Sequence, residues 1–175
     1  GNFVRHRPGH DYLAVSSVRI DSGEAGMNTD WSRRQGHRLI QLGMLLFLFA
    51  LLVGLMVPAF AVPRLGLSTH LLGIMQGTFL LVAGSLWPRL NLTRSLSLAG
   101  CGLAIYGCIA AWTANLCGAL WGAGGALVPL AAGQARGSAL QEGLIRFGLM
   151  TSAVSLIAMA IVILWGLRTP LEESS

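Results

Sequence analysis

Four stretches of this chain are long and apolar enough to cross a bilayer, which leaves few folds open. Leu39–Val62 and Leu71–Trp87 carry no charge. Leu96–Trp121 carries none either, although Tyr106, Trp112 and Asn115 sit inside it. Gly143–Leu167 is interrupted only by Arg146. The hydrocarbon core takes roughly 20 apolar residues as a helix. There is no water in it to satisfy an open backbone, and a helix pairs its own N–H and C=O groups. The predicted fold class is therefore all-α, an integral membrane bundle of four transmembrane helices. Composition agrees: of 175 residues, 54% are hydrophobic and 11% charged, too little polar surface for a soluble domain.

The charges that remain speak to sidedness. All 12 basic residues are arginines. Arg33, Arg34 and Arg38 precede the first span, Arg89 and Arg94 lie between the second and third, and Arg168 follows the fourth. The opposite face has Arg64 and Arg136, with Arg146 near the boundary. Positive charge collects on the cytoplasmic side, so both termini are expected in the cytoplasm of a multi-pass protein. The bacterial inner membrane is the expected site. A net charge of +5 does not point to nucleic acid, because no basic patch is interleaved with aromatics. Residues 1–36 are polar, mixed in charge and without clear period. They are expected to form a disordered or extension tail, with Met27 a natural start for a membrane protein. Residues 37–168 are the expected membrane domain and 169–175 a C-terminal tail.

Cys101, Cys108 and Cys117 lie in one apolar segment without a C-x-x-C and read as small buried hydrophobes. The glycine-rich loop "GAGGALVPLAAGQARGSA", residues 122–139, has no nucleotide-binding pattern; it is either a plain connector or a lid over the helix ends. Ser138 and Gln141 have the spacing of a capping box for the fourth helix. Glu142 and Arg146 follow as an i,i+4 pair with the acid first. Trp87 and Trp121 fit an interfacial aromatic belt.

Helix alternation brings the unusual polar residues to one end. His70 starts the second span, Trp112 and Asn115 lie late in the third, and Glu142 opens the fourth. Polar groups in lipid are costly and face a partner or a cavity, so one clustered site is expected there. Gly73 and Gly77 share His70's helix face. They either allow close helix packing or leave a flat recess for a planar cofactor. Gln76, six positions from His70, is expected in a neighbouring groove.

The segments "RQGHRLIQLGMLLFLFALLVGL", "PRLGLSTHLLGIMQGTFLLV", "LAIYGCIAAWTANLCGALWGAGG" and "LQEGLIRFGLM" resemble the hydroxylaminobenzene mutases of nitroaromatic-degrading bacteria, in their second, longer type. The likeness covers about Met27 to Arg168. More distantly, His70 with Gln76, and Trp112 with Asn115, are similar to the patterns of styrene oxide isomerase, although glutamine stands here where that family has asparagine. The nearer resemblance implies an isomerase of aromatic catabolism that turns hydroxylaminobenzene into 2-aminophenol without external redox equivalents. The more distant one implies a four-helix homo-oligomer, by analogy a trimer, holding haem b. By that implication His70 is the axial, metal-binding ligand, with Gly73 and Gly77 beside the cofactor. Asn115 is the hydrogen-bond donor near the reacting oxygen, Trp112 a wall against the ring, Gln76 a further site residue and Glu142 a proton shuttle. An acid-only mechanism using Glu142 stays open. The alternatives from other classes are a haem-binding membrane anchor and a small transporter or assembly subunit. An anchor usually needs two axial side chains, and His37, the other histidine near a span, lies about a bilayer thickness (~30 Å) away.

Overall fold

The computed structural model describes residues 11–125, 130, 133 and 136–168, with side chains from residue 30 onward. Four helices run in sequence: α1 (Asp11–Leu55), α2 (Pro63–Leu86), α3 (Arg94–Trp121) and α4 (Ala139–Gly166). Short 3₁₀ turns at Val57–Ala59 and Trp87–Arg89 follow α1 and α2. There is no strand among the described residues. The parts long and apolar enough to span a membrane are Asp30–Leu55, Pro63–Arg89, Arg94–Trp121 and Ala139–Gly166. The all-α, four-span membrane fold is thus as expected.

The boundaries differ from the apolar runs, for local chemical reasons. α1 stops at Leu55 instead of Val62 because Pro58 supplies no N–H and its ring crowds the carbonyl of Gly54. α2 begins at Pro63, where the proline takes a first-turn position whose N–H is unpaired in any helix. His70 consequently lies two turns into α2. Pro88 ends α2, and Gly122, at φ 66°, ends α3 in the left-handed region glycine tolerates. At α4 the capping box is present: Gln141 N–H donates to Ser138 Oγ at 3.4 Å, and Ser138 N–H donates to Gln141 Oε1 at 2.8 Å. At the N-terminus, α1 continues back through most of the stretch expected as a tail. Propagating an existing helix costs far less than nucleating one. Packing also begins before position 37: Gln35 is buried and Trp31 half-buried. The expected tail at 169–175 lies outside the described residues.

α1 and α2 form one antiparallel pair, α3 and α4 the other, and α2 joins the pairs by packing on α3. Along the α1–α2 seam the backbones meet directly. A Cβ at Gly36 would lie 2.6 Å from the Gly84 carbonyl oxygen, and one at Gly43 would lie 2.8 Å from that of Gly77. Gly36, Gly43 and Ala50 recur every seven residues on α1 and meet Gly84, Gly77 and Gly73 in turn. Small residues let helices in lipid approach closely, and this closeness replaces the hydrophobic drive that lipid cannot supply. α4 is peripheral: 17% of its membrane-capable window is buried, against 39% for α2 and for α3.

A polar knot closes the end of the bundle away from His70. Trp87 Nε1 donates to Gln35 Oε1 at 2.9 Å and to Ser97 Oγ at 3.0 Å, and Ser97 Oγ donates to Gln35 Oε1. Trp87 is 1% exposed, so it is a core residue tying α1 to α3 and not part of an aromatic belt. The belt expectation fails because Gln35 and Ser97 hold the indole nitrogen inside the bundle. Arg94 stacks over Trp31 at 4.7 Å and Arg168 over Trp165 at 4.5 Å, which gives this end cationic anchors of the kind that sit at a bilayer surface.

Candidate functional site

His70 is built into the last register of the α1–α2 seam. It lies seven residues before Gly77 and fourteen before Gly84, so it occupies the seam line where glycines stand elsewhere. Opposite it α1 presents Gly54, and the imidazole lies against that bare Cα. Its Nδ1 is 2.7 Å from the carbonyl oxygen of Ala50. A carbonyl only accepts, so Nδ1 carries the hydrogen, and in the neutral ring Nε2 keeps its lone pair. The half-buried ring borders an apolar groove of about 520 Å³ on the outer side of α1 and α2, lined also by Leu51, Leu55, Pro58 and Leu67.

Asn115, 5% exposed, points elsewhere. Its Nδ2 donates to Ser68 Oγ at 3.1 Å, bridging α3 to α2. Trp112 lies between the two. A Cβ at Gly73 would be 2.5 Å from Trp112 Nε1 and 2.6 Å from Ala50 Cβ. The indole therefore covers Gly73 and touches the same residue whose carbonyl holds His70. It stacks at a tilt with Phe49, centroids 6.4 Å apart, beside a cavity of about 180 Å³. Trp112 Nε1 and, one turn beyond Gly73, Gln76 Oε1 are buried without a hydrogen-bond partner among the described residues. A buried polar group left unpaired costs about 1–3 kcal/mol; Trp31 Nε1 and Gln35 Nε2, at the opposite end of the bundle, are unpaired in the same way, so the orphans alone do not single out this crossing.

Two expectations are corrected by this geometry. Gly73 and Gly77 do not border an open recess: Gly73 is covered by Trp112 and Ala50, and Gly77 by the Gly43 carbonyl and Phe47. The first is filled by side chains and the second by backbone contact, so neither faces open space within the chain. Nor do the imidazole, the carboxamide and the acid share one hollow within the chain. They do lie at one end of the bundle, as alternation requires. But Glu142 belongs to α4, whose packing partner is α3. Its Oε1 accepts from the backbone N–H groups of Gly124 at 2.8 Å, Gly125 at 3.3 Å and Gly137 at 3.2 Å. The carboxylate thus pins both ends of the connection between α3 and α4 to the first turn of α4, where the helix dipole also favours a negative charge. Arg146, one turn on, is exposed.

Cys101 and Cys108 are buried in the core as expected, while Cys117 lines a cavity of about 260 Å³ between α3 and α4 with Trp121 and Ile145. Among the described residues no three His, Cys, Asp or Glu side chains gather as a metal site, so any ligation would rest on His70. Sequence reading missed Ala50, Gly54, Ser68 and Phe49. Ala50 had a usable signal, the seven-residue recurrence of small residues on α1; Gly54, Ser68 and Phe49 had none.

Residues 35–168 match the styrene oxide isomerase family model. This protein belongs to the styrene oxide isomerase family. The chain is 48% identical to hydroxylaminobenzene mutase HabB of Ectopseudomonas oleovorans over 132 residues, covering 75% of this chain and 80% of that protein. It is 42% identical to hydroxylaminobenzene mutase HabA of the same organism over 125 residues, covering 71% of this chain and 93% of that one. No solved structure matches. The matched region takes in all four spans and every candidate residue discussed above. Neither likeness points to an electron-carrying anchor or a transporter subunit.

Proposed function

We propose that this protein is a membrane isomerase that converts hydroxylaminobenzene to 2-aminophenol. The observation that carries the reading is the 48% identity to a hydroxylaminobenzene mutase across 80% of that protein's length. Substrate and product are isomers. The N–O bond breaks, a C–O bond forms at the ortho carbon, and the proton displaced from that carbon ends on nitrogen. No electron enters or leaves. The barrier lies in N–O cleavage, since hydroxide is a poor leaving group, and in keeping bulk water from taking the para carbon.

The residues suit a single-histidine haem b. His70 borders an apolar groove while its Nδ1 is tied to a backbone carbonyl, the support that metal-binding imidazoles typically have on their other nitrogen. Such a group, when bound, supplies a Lewis acid for the departing oxygen. His70 would hold it. Trp112 and Phe49 supply an aromatic wall for the substrate ring. Asn115, which lies outside the His70 groove of its own chain, is the donor proposed for a reacting oxygen at a contact between copies, with Ser68 holding its carboxamide in the resting state. Gln76 Oε1 is a buried acceptor available to a substrate N–H. The apolar surroundings limit access of competing water. Glu142 is better suited to closing the α3–α4 connection than to carrying a proton, because three amides already share its Oε1.

The His70 groove opens outward from α1 and α2, so a second copy packed there would enclose it. We therefore propose a homo-oligomer, by analogy a trimer, in the bacterial inner membrane with both termini cytoplasmic.

Two measurements test this. The purified protein given hydroxylaminobenzene and no reduced nicotinamide should yield 2-aminophenol; a strict need for NAD(P)H overturns the reading. The visible spectrum should show a Soret band that His70→Ala loses along with activity. A colourless, active enzyme would remove haem from the proposal.

A further inference from the structure

We propose that Gly54 is a positioning residue for His70, and that its missing side chain decides which ring nitrogen the imidazole offers to the groove. The proposal deepens the functional reading above and rests on His70 serving the reaction.

At other seam positions a glycine on α1 makes room for the α2 backbone, as at Gly36 against the Gly84 carbonyl and Gly43 against that of Gly77. Gly54 instead makes room for a side chain. A Cβ there would lie 2.5 Å from His70 Nδ1, 2.7 Å from Cε1 and 3.1 Å from Cγ. The Nδ1 edge of the ring therefore occupies the volume any other residue would fill. Ala50 stands four residues earlier on the same helix face, and its carbonyl takes the Nδ1 hydrogen at 2.7 Å. The two positions act together: Gly54 admits the ring to the depth at which Ala50 can reach it, and Ala50 then fixes the tautomer. Nε2 is the nitrogen left with a lone pair.

A methyl at position 54 removes this arrangement. The α1 backbone behind the ring is held by the seam, so the imidazole must swing toward the groove. The Nδ1–H···O bond then lengthens beyond hydrogen-bond range, and nothing selects one tautomer over the other. Alanine is the better helix former, so a loss of function in Gly54→Ala cannot be assigned to a weakened helix.

The test reads the ring directly. Histidine tautomers differ in their ring-stretch vibration, and the His70 contribution can be isolated from the full-length protein in lipid by subtracting the spectrum of His70→Ala. The wild type should show the Nδ1–H form. Gly54→Ala should lose that signature and lose about 10–100-fold in mutase activity, the usual effect of disturbing the support of a ligating histidine. Gly102→Ala, the same change on α3 where a Cβ meets nothing within 4 Å, should alter neither. An Nε2–H signature in the wild type, or an unchanged one in Gly54→Ala, overturns the inference, and the first of these needs only the His70→Ala reference beside the wild type. Full mutase activity in His70→Ala would instead overturn the role of His70 in the reaction and leave the ring measurement standing.

Discussion

Between α1 and α2 the backbones themselves meet, at Gly36–Gly84 and Gly43–Gly77. Between α3 and α4 the glycine contacts end on side chains, with Gly107 under Leu156 and Gly148 beside Ala114, and a cavity of about 260 Å³ lies in the same interface. Backbone cannot rotate away from an intruding atom, whereas a leucine can change rotamer. The first pair is therefore fixed in register and the second can adjust. His70 belongs to the fixed pair. Its ring position is set by two helices that cannot slide, which suits a group that must hold its geometry to within a fraction of an ångström.

The sharpest way to break this contrast is one substitution made in each pair. Gly77→Ala puts a methyl 2.8 Å from the Gly43 carbonyl oxygen and 2.9 Å from the Phe47 amide nitrogen. It should destabilise the protein by about 3 kcal/mol, the upper part of the range for overpacking. Gly107→Ala meets the Leu156 side chain at 2.8 Å. Leu156 can change rotamer, so the cost should stay below about 1 kcal/mol, partly offset by helix propensity. Thermal melting in mild detergent measures both, and equal effects would show that the two seams are not different in kind.

A smaller effect sharpens the α3–α4 side. Glu142→Ala leaves the amides of Gly124, Gly125 and Gly137 without this acceptor, at a cost of about 1–3 kcal/mol. Hydrogen exchange at those amides should accelerate. Glu142→Gln keeps an acceptor oxygen and should keep most of the protection and most of the activity. If the glutamine variant is protected yet inactive, the proton-shuttle role returns. The smallest effect is expected at the cap. Ser138→Ala should cost about 1 kcal/mol, with faster exchange confined to the first turn of α4 and no change at His70.

How much of this could be read from the chain itself depends on range. The four spans were legible because bilayer thickness imposes one length on every crossing. The Ser138–Gln141 box was legible because capping is a matter of neighbouring residues. His70, Trp112 and Asn115 stood out as polar or bulky groups in apolar runs. What stayed hidden was direction. Nothing in the spacing of Gly73 and Gly77 says whether a helix or a cofactor covers them, since both need a missing side chain. The helical period places Asn115 on a face but does not say that Ser68 awaits it. The convergence of Glu142 with His70 failed because alternation fixes only which end a residue occupies. Which helix neighbours which is a lateral question, and here α4 sits against α3. Trp87 misled because an indole beside Pro88 at a span's end has the same signature whether it faces lipid or core.

The bond from His70 to Ala50 has an electrical side. Ala50 lies five residues before the end of α1, where the peptide dipoles of a long helix present their negative pole. The imidazole takes hold of the protein at that pole, with its other nitrogen facing away from it. Any positive charge gathered at the far side of the ring is thus partly offset through the ring by a whole helix. That compensation needs no acidic side chain, and a carboxylate at this depth would be far costlier to keep in lipid.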